Sequence, residues 1–419
     1  MSGYRIQCAT YNGKLAKGRT HSLASGEPSG DLSAWLAPTL EDGGDEAPDF
    51  VAVGFQEMIP LHLALAGFTK TALDLHDDEL RSAIEERYSG SSAGRKKRSA
   101  PDGERYSLVA RRAIGGIALL VYAREASVAA RVKDVQVATV GCGVFGLMGN
   151  KGAVGIRVLL DERSGNGETS SWTFVTAHLA AHQNRNKERA RDWRSIVERL
   201  VFEGMEGQKQ MFDTGHVFFF GDLNYRISLT SPKKLPLHLL KHGINSLSSS
   251  DPSSYASLLA YDQLRQERAA NRSLHHLREG EITFPPTYKF KPGTRDEYKN
   301  FKKRVPGWCD RVLYASAAED EAEVLSYKSV MDFTRSDHKP VAALVSIPAS
   351  SAARRLPYRS PYNLDSSWRI KQTVGLVLDR FVGIVWCLIM LAGFNKDARL
   401  GLINITLATL GAYYRRALL

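Results

Sequence analysis

The sequence predicts a mixed, layered sandwich of β-sheets and helices. Three observations predict it. Short apolar runs of strand length recur along the chain, few helical segments separate them, and polar residues stand where the runs end. Arg5 to Tyr11 reads as a first strand that delivers Asn12 to its end. Residues 20–48 are rich in Gly, Ser, Pro and acids, with a helical patch near Leu32 to Leu40. Phe50 to Phe55 is a buried-strand run that stops at Gln56-Glu57. Residues 89–104, with Arg95-Lys96-Lys97-Arg98 among Ser and Gly, read as a solvated loop in preference to a nuclear signal. Ile117 to Tyr122, Ala153 to Leu160 and Trp172 to Ala177 are further strands, the last ending at His178. Gly149-Asn150-Lys151-Gly152 forms a tight turn. Asn186 to Phe202 has helical spacing, with Trp193, Ile196, Val197 and Leu200 on one face. After the run Val217 to Phe220, Leu235 to Leu240 and Tyr255 to Asn271 read as helices, and Val312 to Tyr314 and Val341 to Val345 complete the sheets. No internal repeat of fixed period occurs.

Composition narrows the function classes. An apolar content of 43% over 419 residues supports a sizeable core in one large or two ordinary domains. The four cysteines (Cys8, Cys142, Cys309, Cys387) are scattered and form no C-x-x-C pair, which argues against a disulfide scaffold or a zinc site and for a reducing compartment. A formal net charge of +11 suits a polyanionic partner: nucleic acid, an acidic membrane face or a phosphorylated small molecule. No apolar N-terminal stretch has signal-peptide length. G-x-x-x-x-G-K-[ST] is absent, so a nucleotide-triphosphate cradle loses support.

Phe219-Phe220-Gly221-Asp222-Leu223-Asn224-Tyr225-Arg226 is the most informative stretch. It places an acid and an amide two residues apart at the end of an apolar run. The same residues also suit a simple turn, and the rest of the chain decides between the two. Asn12, Glu57, His178, Asp222, Asn224, Asp310, Asp337 and His338 all stand at the ends of strand-like runs. A carboxylate with amide oxygens suits a hard cation such as Mg²⁺. Two histidines and two acids suit acid–base work and charge stabilisation.

In sequence order, these residues resemble the Mg²⁺-dependent inositol polyphosphate 5-phosphatases of the endonuclease/exonuclease/phosphatase superfamily. The signature F-W-x-G-D-x-N-[FY]-R stands here as Phe218 to Arg226, with Phe219 for Trp. The signature [RN]-x-P-[SA]-[WY]-[CT]-D-R-[IV]-[LI] stands as Arg304 to Leu313, departing only at Gly307. Gly149 to Gly152, Thr176 to His182, Pro286 to Phe290 and Ser336 to Val341 match further blocks. The N-terminal T-W-N-x-N-G block is reduced to Thr10-Tyr11-Asn12-Gly13-Lys14 and lacks its second Asn. The resemblance implies an α+β, four-layer α/β/β/α sandwich. It implies Glu57 as the principal Mg²⁺ ligand, helped by Asn12, with Asp337 in the outer metal shell. Asp222 would orient and deprotonate a water and Asn224 would hold that water or the phosphate. His338, its tautomer fixed by Asp310, and His178 would contact the phosphate. For His182, packing and function stay open. Tyr288, Lys289, Lys302 and Arg304 match positions that grip a 4-phosphate, Asn150 and Lys151 face the inositol ring and the 1-phosphate side, and Arg311 joins the substrate-binding set.

The composition changes near Pro348. Residues 1–347 are expected to be catalytic, 348–372 a linker rich in Ser, Pro and Arg, and 373–419 an apolar helical tail that anchors to a membrane, as a hairpin or as one span plus an interfacial helix. A buried pair of core helices is the bland alternative. The expected whole is a monomeric phosphatidylinositol 4,5-bisphosphate 5-phosphatase on an anionic membrane, with its catalytic domain cytosolic, first of all on the endoplasmic reticulum, and with no nucleic-acid partner. The alternatives are an abasic-site nuclease of the same superfamily and an inactive phosphoinositide-binding adaptor.

Overall fold

The computed structural model describes residues 3–13, 33–41, 46–88, 103–162, 168–204, 207–229, 235–245, 253–299, 304–318, 321–349, 354–394 and 397–417. Lys14, Arg95 to Arg98 and Lys302 lie outside them. In chain order the first sheet comprises β1 (Tyr4–Asn12), β2 (Phe50–Gln56), β3 (Tyr106–Ile114), β4 (Ile117–Arg124), β13 (Glu323–Ser329) and β14 (Val341–Ile347). Its spatial order is β13-β14-β1-β2-β4-β3. The second comprises β5 (Val132–Gly141), β6 (Gly152–Asp161), β7 (Thr169–His178), β10 (His216–Asp222), β11 (Arg278–Glu279) and β12 (Asp310–Ser316), ordered β11-β12-β10-β7-β6-β5. A small hairpin pairs β8 (Phe202–Gly204) with β9 (Gly207–Lys209).

Strand alternation builds the layers. Ile6, Cys8, Phe50 and Ala52 point from the first sheet into one buried cluster with Val154, Phe174, Phe218 and Phe220 of the second. Burying a side chain the size of Phe218 or Phe220 contributes about 1.5–3 kcal/mol relative to leaving it exposed. Their neighbours face the other way. Ala9, Val51, Val53 and Phe55 pack under α1 (Ser33–Glu41) and α3 (Lys70–Arg87). Val175, Val217 and Phe219 pack under α4 (Asn186–Arg199), where the Phe219 ring lies edge-on to Trp193 at 5.2 Å. The result is helix, sheet, sheet, helix, the expected four layers. The aromatic exchange at Phe219 therefore falls in the outer core of the second sheet, away from the cavity.

Among the strands not anticipated from sequence, β3, β5 and β13 each form a sheet edge, as does the two-residue β11. Their faces are half-solvated and mixed in polarity, so no apolar run marks them. The helix α3 was also unanticipated; it buries the stripe Ala72, Leu73, His76, Leu80, Ala83 and Ile84. The helical stretch Tyr255 to Asn271 is two helices, α6 (Ser253–Leu259) and α7 (Gln263–Ala269), following α5 (Leu237–Asn245). They are separated where the Asp262 side chain accepts the Arg265 N–H and caps the second.

The described linker residues lie on the second sheet's helical layer. Leu356 N–H donates to Thr214 O at 3.0 Å, Gln210 Nε2 donates to Tyr362 O at 3.2 Å, and Tyr358 stacks on His276 at 4.1 Å. The tail is two helices, α8 (Trp368–Ala392) and α9 (Ala398–Ala417), so helix begins five residues before the expected tail boundary. In the chain between β2 and α3 stands α2 (Leu61–Ala66), which receives α8.

Gly54 shows how closely the sheets meet. A Cβ there would lie 2.3 Å from Thr176 Oγ1 and 2.8 Å from the Phe220 ring. Gly54→Ala is expected to cost about 1–3 kcal/mol by overpacking, read as a lowered urea midpoint. An unchanged midpoint would mean that the sheets do not meet this closely.

Candidate active site

Register brings the candidate residues to one end of the sandwich. In the second sheet Asp310 on β12 pairs across Asp222 on β10, which pairs across His178 on β7, which pairs across Gly152 on β6. In the first sheet Asn12 on β1 ends beside Gln56 on β2, so Glu57 follows directly at the rim. Both sheets end at a cavity of about 200 Å³, lined among others by Glu57, Lys151, His178, Asp222, Asn224, Asp337 and His338. Glu57 and Asn224 both take positive φ, 50° and 58° respectively, turning the chain as it leaves its strand.

Asp222 is at the centre and is 1% exposed. Its Oδ2 accepts from Asn12 Nδ2 at 2.9 Å and lies 3.2 Å from His178 Nε2 and 3.9 Å from His338 Nε2. Its Oδ1 accepts the Asn224 backbone N–H at 3.0 Å. Asn224 Nδ2 donates to Leu179 O at 3.1 Å, and its Oδ1 accepts from Arg226 Nη2 at 2.9 Å. His338 Nδ1 pairs with Asp310 Oδ2 at 2.9 Å, and Thr287 Oγ1 donates to the same oxygen at 2.7 Å. The amine of Lys151 touches His178 Nε2, and the amine of Lys289 is paired with Asp337.

These contacts set the charges. Burial acts to raise the Asp222 carboxyl, but the charge of His338, the hydrogen bond from His178 and the charge of Lys151 outweigh it and hold the group far below the usual carboxylate range. Burial acts to lower His338, yet Asp310 and Asp222 outweigh it and push the imidazole up to about 9. Burial pushes Asp310 up to about 6 against the pull of His338. Burial, with the Lys151 charge, lowers His178. Burial also lowers Lys151, against the pull of Asp222 and Glu57. At neutral pH, Asp222 and Asp310 are therefore anions, His338 is a cation and His178 is neutral.

Ligand atoms of Asp222, Asp310 and His338 lie within 4.8 Å of one another, a spacing that could hold a metal. The donor geometry argues otherwise, because His338 Nδ1 and the Asp310 oxygens are already engaged with each other, and Thr287 donates to Asp310 as well. Glu57, an exposed carboxylate on the same cavity as Asp222 and Asp337, offers an oxygen ligand of the kind that a hard cation takes.

The structure brings together Asp222, Asn224, His178, His338, Glu57, Asp337, Lys151, Tyr288, Lys289 and Arg304 on one cavity, with Asn12 and Asp310 bonded to its members. His182 also lines it, and its Nδ1 meets Arg304 Nη1 at 2.7 Å. Asn150 lines an adjoining cavity with Glu57 and Lys151, and its Oδ1 accepts the Val144 N–H at 3.1 Å. Arg311 is the correction. It is fully buried, bonded to Asp262 at 3.1 Å and Glu279 at 2.6 Å, and it holds the second sheet to α7 instead of gripping substrate. Its neighbour in the motif, Gly307, has a reason to be glycine: a Cβ there would lie 2.4 Å from Arg226 Cα. Arg226 and Thr287 went unassigned in sequence although both stand inside quoted motifs. Arg226 lines the cavity and lies 4.5 Å over the Tyr288 ring.

Comparison with known proteins gives the family. Residues 9–344 match the model of endonuclease/exonuclease/phosphatase family 2, and the chain belongs to that family. The mouse type II inositol 1,4,5-trisphosphate 5-phosphatase is 33% identical over 335 residues, 78% of this chain and 29% of the relative. Phosphatidylinositol 4,5-bisphosphate 5-phosphatase INP51 of Saccharomyces cerevisiae is 29% identical, over 78% of this chain and 30% of the relative. Human synaptojanin-1 is 30% identical, over 75% of this chain and 20% of the relative. The chain thus spans about 20–30% of the length of these curated relatives. Among solved structures, the inositol polyphosphate 5-phosphatase domain of SPsynaptojanin, in complex with inositol (1,4)-bisphosphate and a calcium ion, is similar with a TM-score of 0.58 and 27% identity over 90% of each chain.

The charge assignment is testable by NMR titration of labelled histidine in metal-free protein. The His338 ring is expected to titrate near pH 9. Asp310→Asn should lower that midpoint, because Asp310 is the strongest charge raising it. Titration of wild-type His338 at or below about 6.5, the ordinary histidine value, would contradict the assignment.

Proposed function

We propose that the protein is a Mg²⁺-dependent phosphoinositide 5-phosphatase that hydrolyses the 5-phosphate of phosphatidylinositol 4,5-bisphosphate, giving phosphatidylinositol 4-phosphate and phosphate. The observation that carries this is the ionised Asp222 held among His178, His338 and Asn12 on the cavity that Glu57 shares. The relatives support the substrate class. The mouse relative is named for inositol 1,4,5-trisphosphate, and the similar solved domain holds inositol (1,4)-bisphosphate, which differs by the 5-phosphate.

In this reading Glu57, helped by Asn12, would hold the cation, with Asp337 in its outer shell. The bound cation supplies charge neutralisation at the phosphate oxygens. Asp222 orients the attacking water in line with the scissile bond. Because its carboxylate is so strongly stabilised as the anion, it is a weak base, and its main contribution is orientation and charge. The His338 imidazolium donates to a phosphate oxygen, and Asp310 keeps it protonated and aimed. His178 and Asn224 contact the same phosphate. Tyr288, Lys289, Lys302 and Arg304 bind the phosphate that stays, with Asn150 and Lys151 toward the ring. Positioning and charge neutralisation dominate phosphoryl transfer, so no covalent intermediate is invoked.

The same reading gives residues 1–347 the catalytic role and the tail the role of a membrane anchor, with the catalytic unit cytosolic, on the endoplasmic reticulum first of all. Trp368–Ala392 is long and apolar enough to cross a bilayer by length and composition, with mean hydropathy 2.1. The net charge of +11 favours an anionic leaflet.

The test is phosphate release by the detergent-solubilised full chain from a panel of phosphoinositides, with Mg²⁺ or with chelator. Release confined to 5-phosphorylated inositides and abolished by chelator is expected. Asp222→Ala and Glu57→Ala should each lower kcat by roughly 10²–10⁴-fold, as expected when a polar group that acts in the transition state is removed. Cleavage of abasic duplex DNA without phosphoinositide turnover would favour the nuclease. Retention of the cellular effect by Asp222→Ala would favour an adaptor. In cell fractionation, the full chain is expected to stay in the membrane pellet through a carbonate wash; release to the supernatant would remove the integral anchor.

A further inference from the structure

The helix α8 is more than an apolar tail. Its buried positions are Trp368, Gly375, Asp379 and Gly383, the last three four residues apart on one face. The outward stripe Ile370, Val374, Val377, Phe381, Ile384, Leu388 and Leu391 is apolar and exposed. At the inner seam, backbone meets backbone. A Cβ on Gly375 would lie 2.4 Å from Leu147 O, and one on Gly383 would lie 2.1 Å from Ala66 N. Between these glycines Asp379 is 3% exposed, and its carboxylate accepts the Gly149 N–H with both oxygens at 3.0 Å. A buried carboxylate in an apolar helix is costly unless it is hydrogen-bonded, and here its partner is the first residue of the turn that carries Asn150 and Lys151. On the opposite side Arg380 Nη1 donates to Leu65 O at 3.2 Å.

The Gly149 turn is held from two sides. A Cβ on Gly115 would lie 2.1 Å from Gly149 O, so the β3–β4 turn is pressed against it. The next residue, Gly116, accepts the Met58 N–H at 3.1 Å, and a Cβ on it would lie 3.4 Å from Glu57 Cα. Helix α8, the Gly149 turn, the Gly115 turn and Glu57 therefore form one contiguous stack. From the far end of that turn, the Lys151 amine reaches His178.

We propose that α8 braces the active site from outside, with Asp379 a positioning residue that fixes the Asn150–Lys151 turn through the Gly149 amide. The inner seam then serves the site, and the outer stripe is left to lie against a membrane surface, the interfacial alternative for this helix. The consequence for turnover rests on the phosphatase reading above; the clamp itself does not.

Two measurements on the full chain in detergent test the proposal, comparing Asp379→Ala, Asp379→Asn and the outer-face variant Leu388→Ser. The first is hydrogen exchange of the amides of residues 147–152. Asp379→Ala should speed exchange there roughly tenfold or more, as a lost local hydrogen bond would. Asp379→Asn, whose amide oxygen still accepts, should be intermediate, and Leu388→Ser should match wild type. The second is kcat and KM on water-soluble inositol 1,4,5-trisphosphate, a substrate that needs no membrane. Asp379→Ala should lose roughly 10–100-fold in kcat/KM, the scale expected of misplaced catalytic groups. Asp379→Asn should recover most of it and Leu388→Ser all of it. Wild-type exchange at Gly149 in Asp379→Ala overturns the clamp, and unchanged kcat/KM alongside faster exchange overturns the positioning role of Asp379. If Asp379→Ala cannot be recovered folded, Asp379→Asn decides: wild-type exchange at Gly149 overturns the proposal. A wild-type chain with no turnover of any inositide defeats the phosphatase reading, while the exchange result still judges the clamp.

Discussion

A buried anion needs donors on every side, and around Asp222 they arrive from both sheets. Asn12 comes from the end of β1, His178 from the end of β7, and His338 from the loop before β14. The two sheets must therefore meet with these strand ends level, and the cluster of Phe50, Phe174, Phe218 and Phe220 between them enforces it. Fold and site are in this sense a single construction. Sliding one sheet against the other by a residue would strand the carboxylate among apolar groups, at the cost of an unpaired buried charge.

The positive groups around that anion divide into separate jobs. Asp310 and Asp222 push His338 up to about 9 and favour its charged form, while burial and Lys151 lower His178 and favour its neutral form. Two imidazoles in one cavity thereby differ in what they can donate. Glu57 stands apart from the cluster, on an exposed corner shaped by its positive φ, and leaves room for a hydrated hard cation. The turns at Gly115 and Gly149 join that corner to Lys151, and α8 closes the stack from outside.

Much of this was legible in the sequence because the interior strands are continuous apolar runs ending in polar residues. Val217 to Phe220 announces both a central strand and Asp222, and Phe50 to Phe55 does the same for Glu57. What was hidden has physical reasons. The edge strands β3, β5 and β13 are half-solvated and carry mixed residues, so they give no periodic signal. Arg311 sits in a motif full of site residues, yet its strand direction sends it into the core toward Asp262 and Glu279. Asp379 reads in sequence as a charge interrupting a membrane segment. Only the three-dimensional path of α8 shows that it meets the Gly149 amide, 230 residues away in the chain.

Crystals of the full chain soaked with Mn²⁺ and inorganic phosphate would locate the cation by its anomalous scattering. The cation is expected at direct coordination distance from Glu57, with phosphate lying between it and the imidazoles of His178 and His338. A cation seated between Asp310 and His338, with Glu57 unengaged, would contradict the assignment of His338 as a cation and of Glu57 as the metal's ligand.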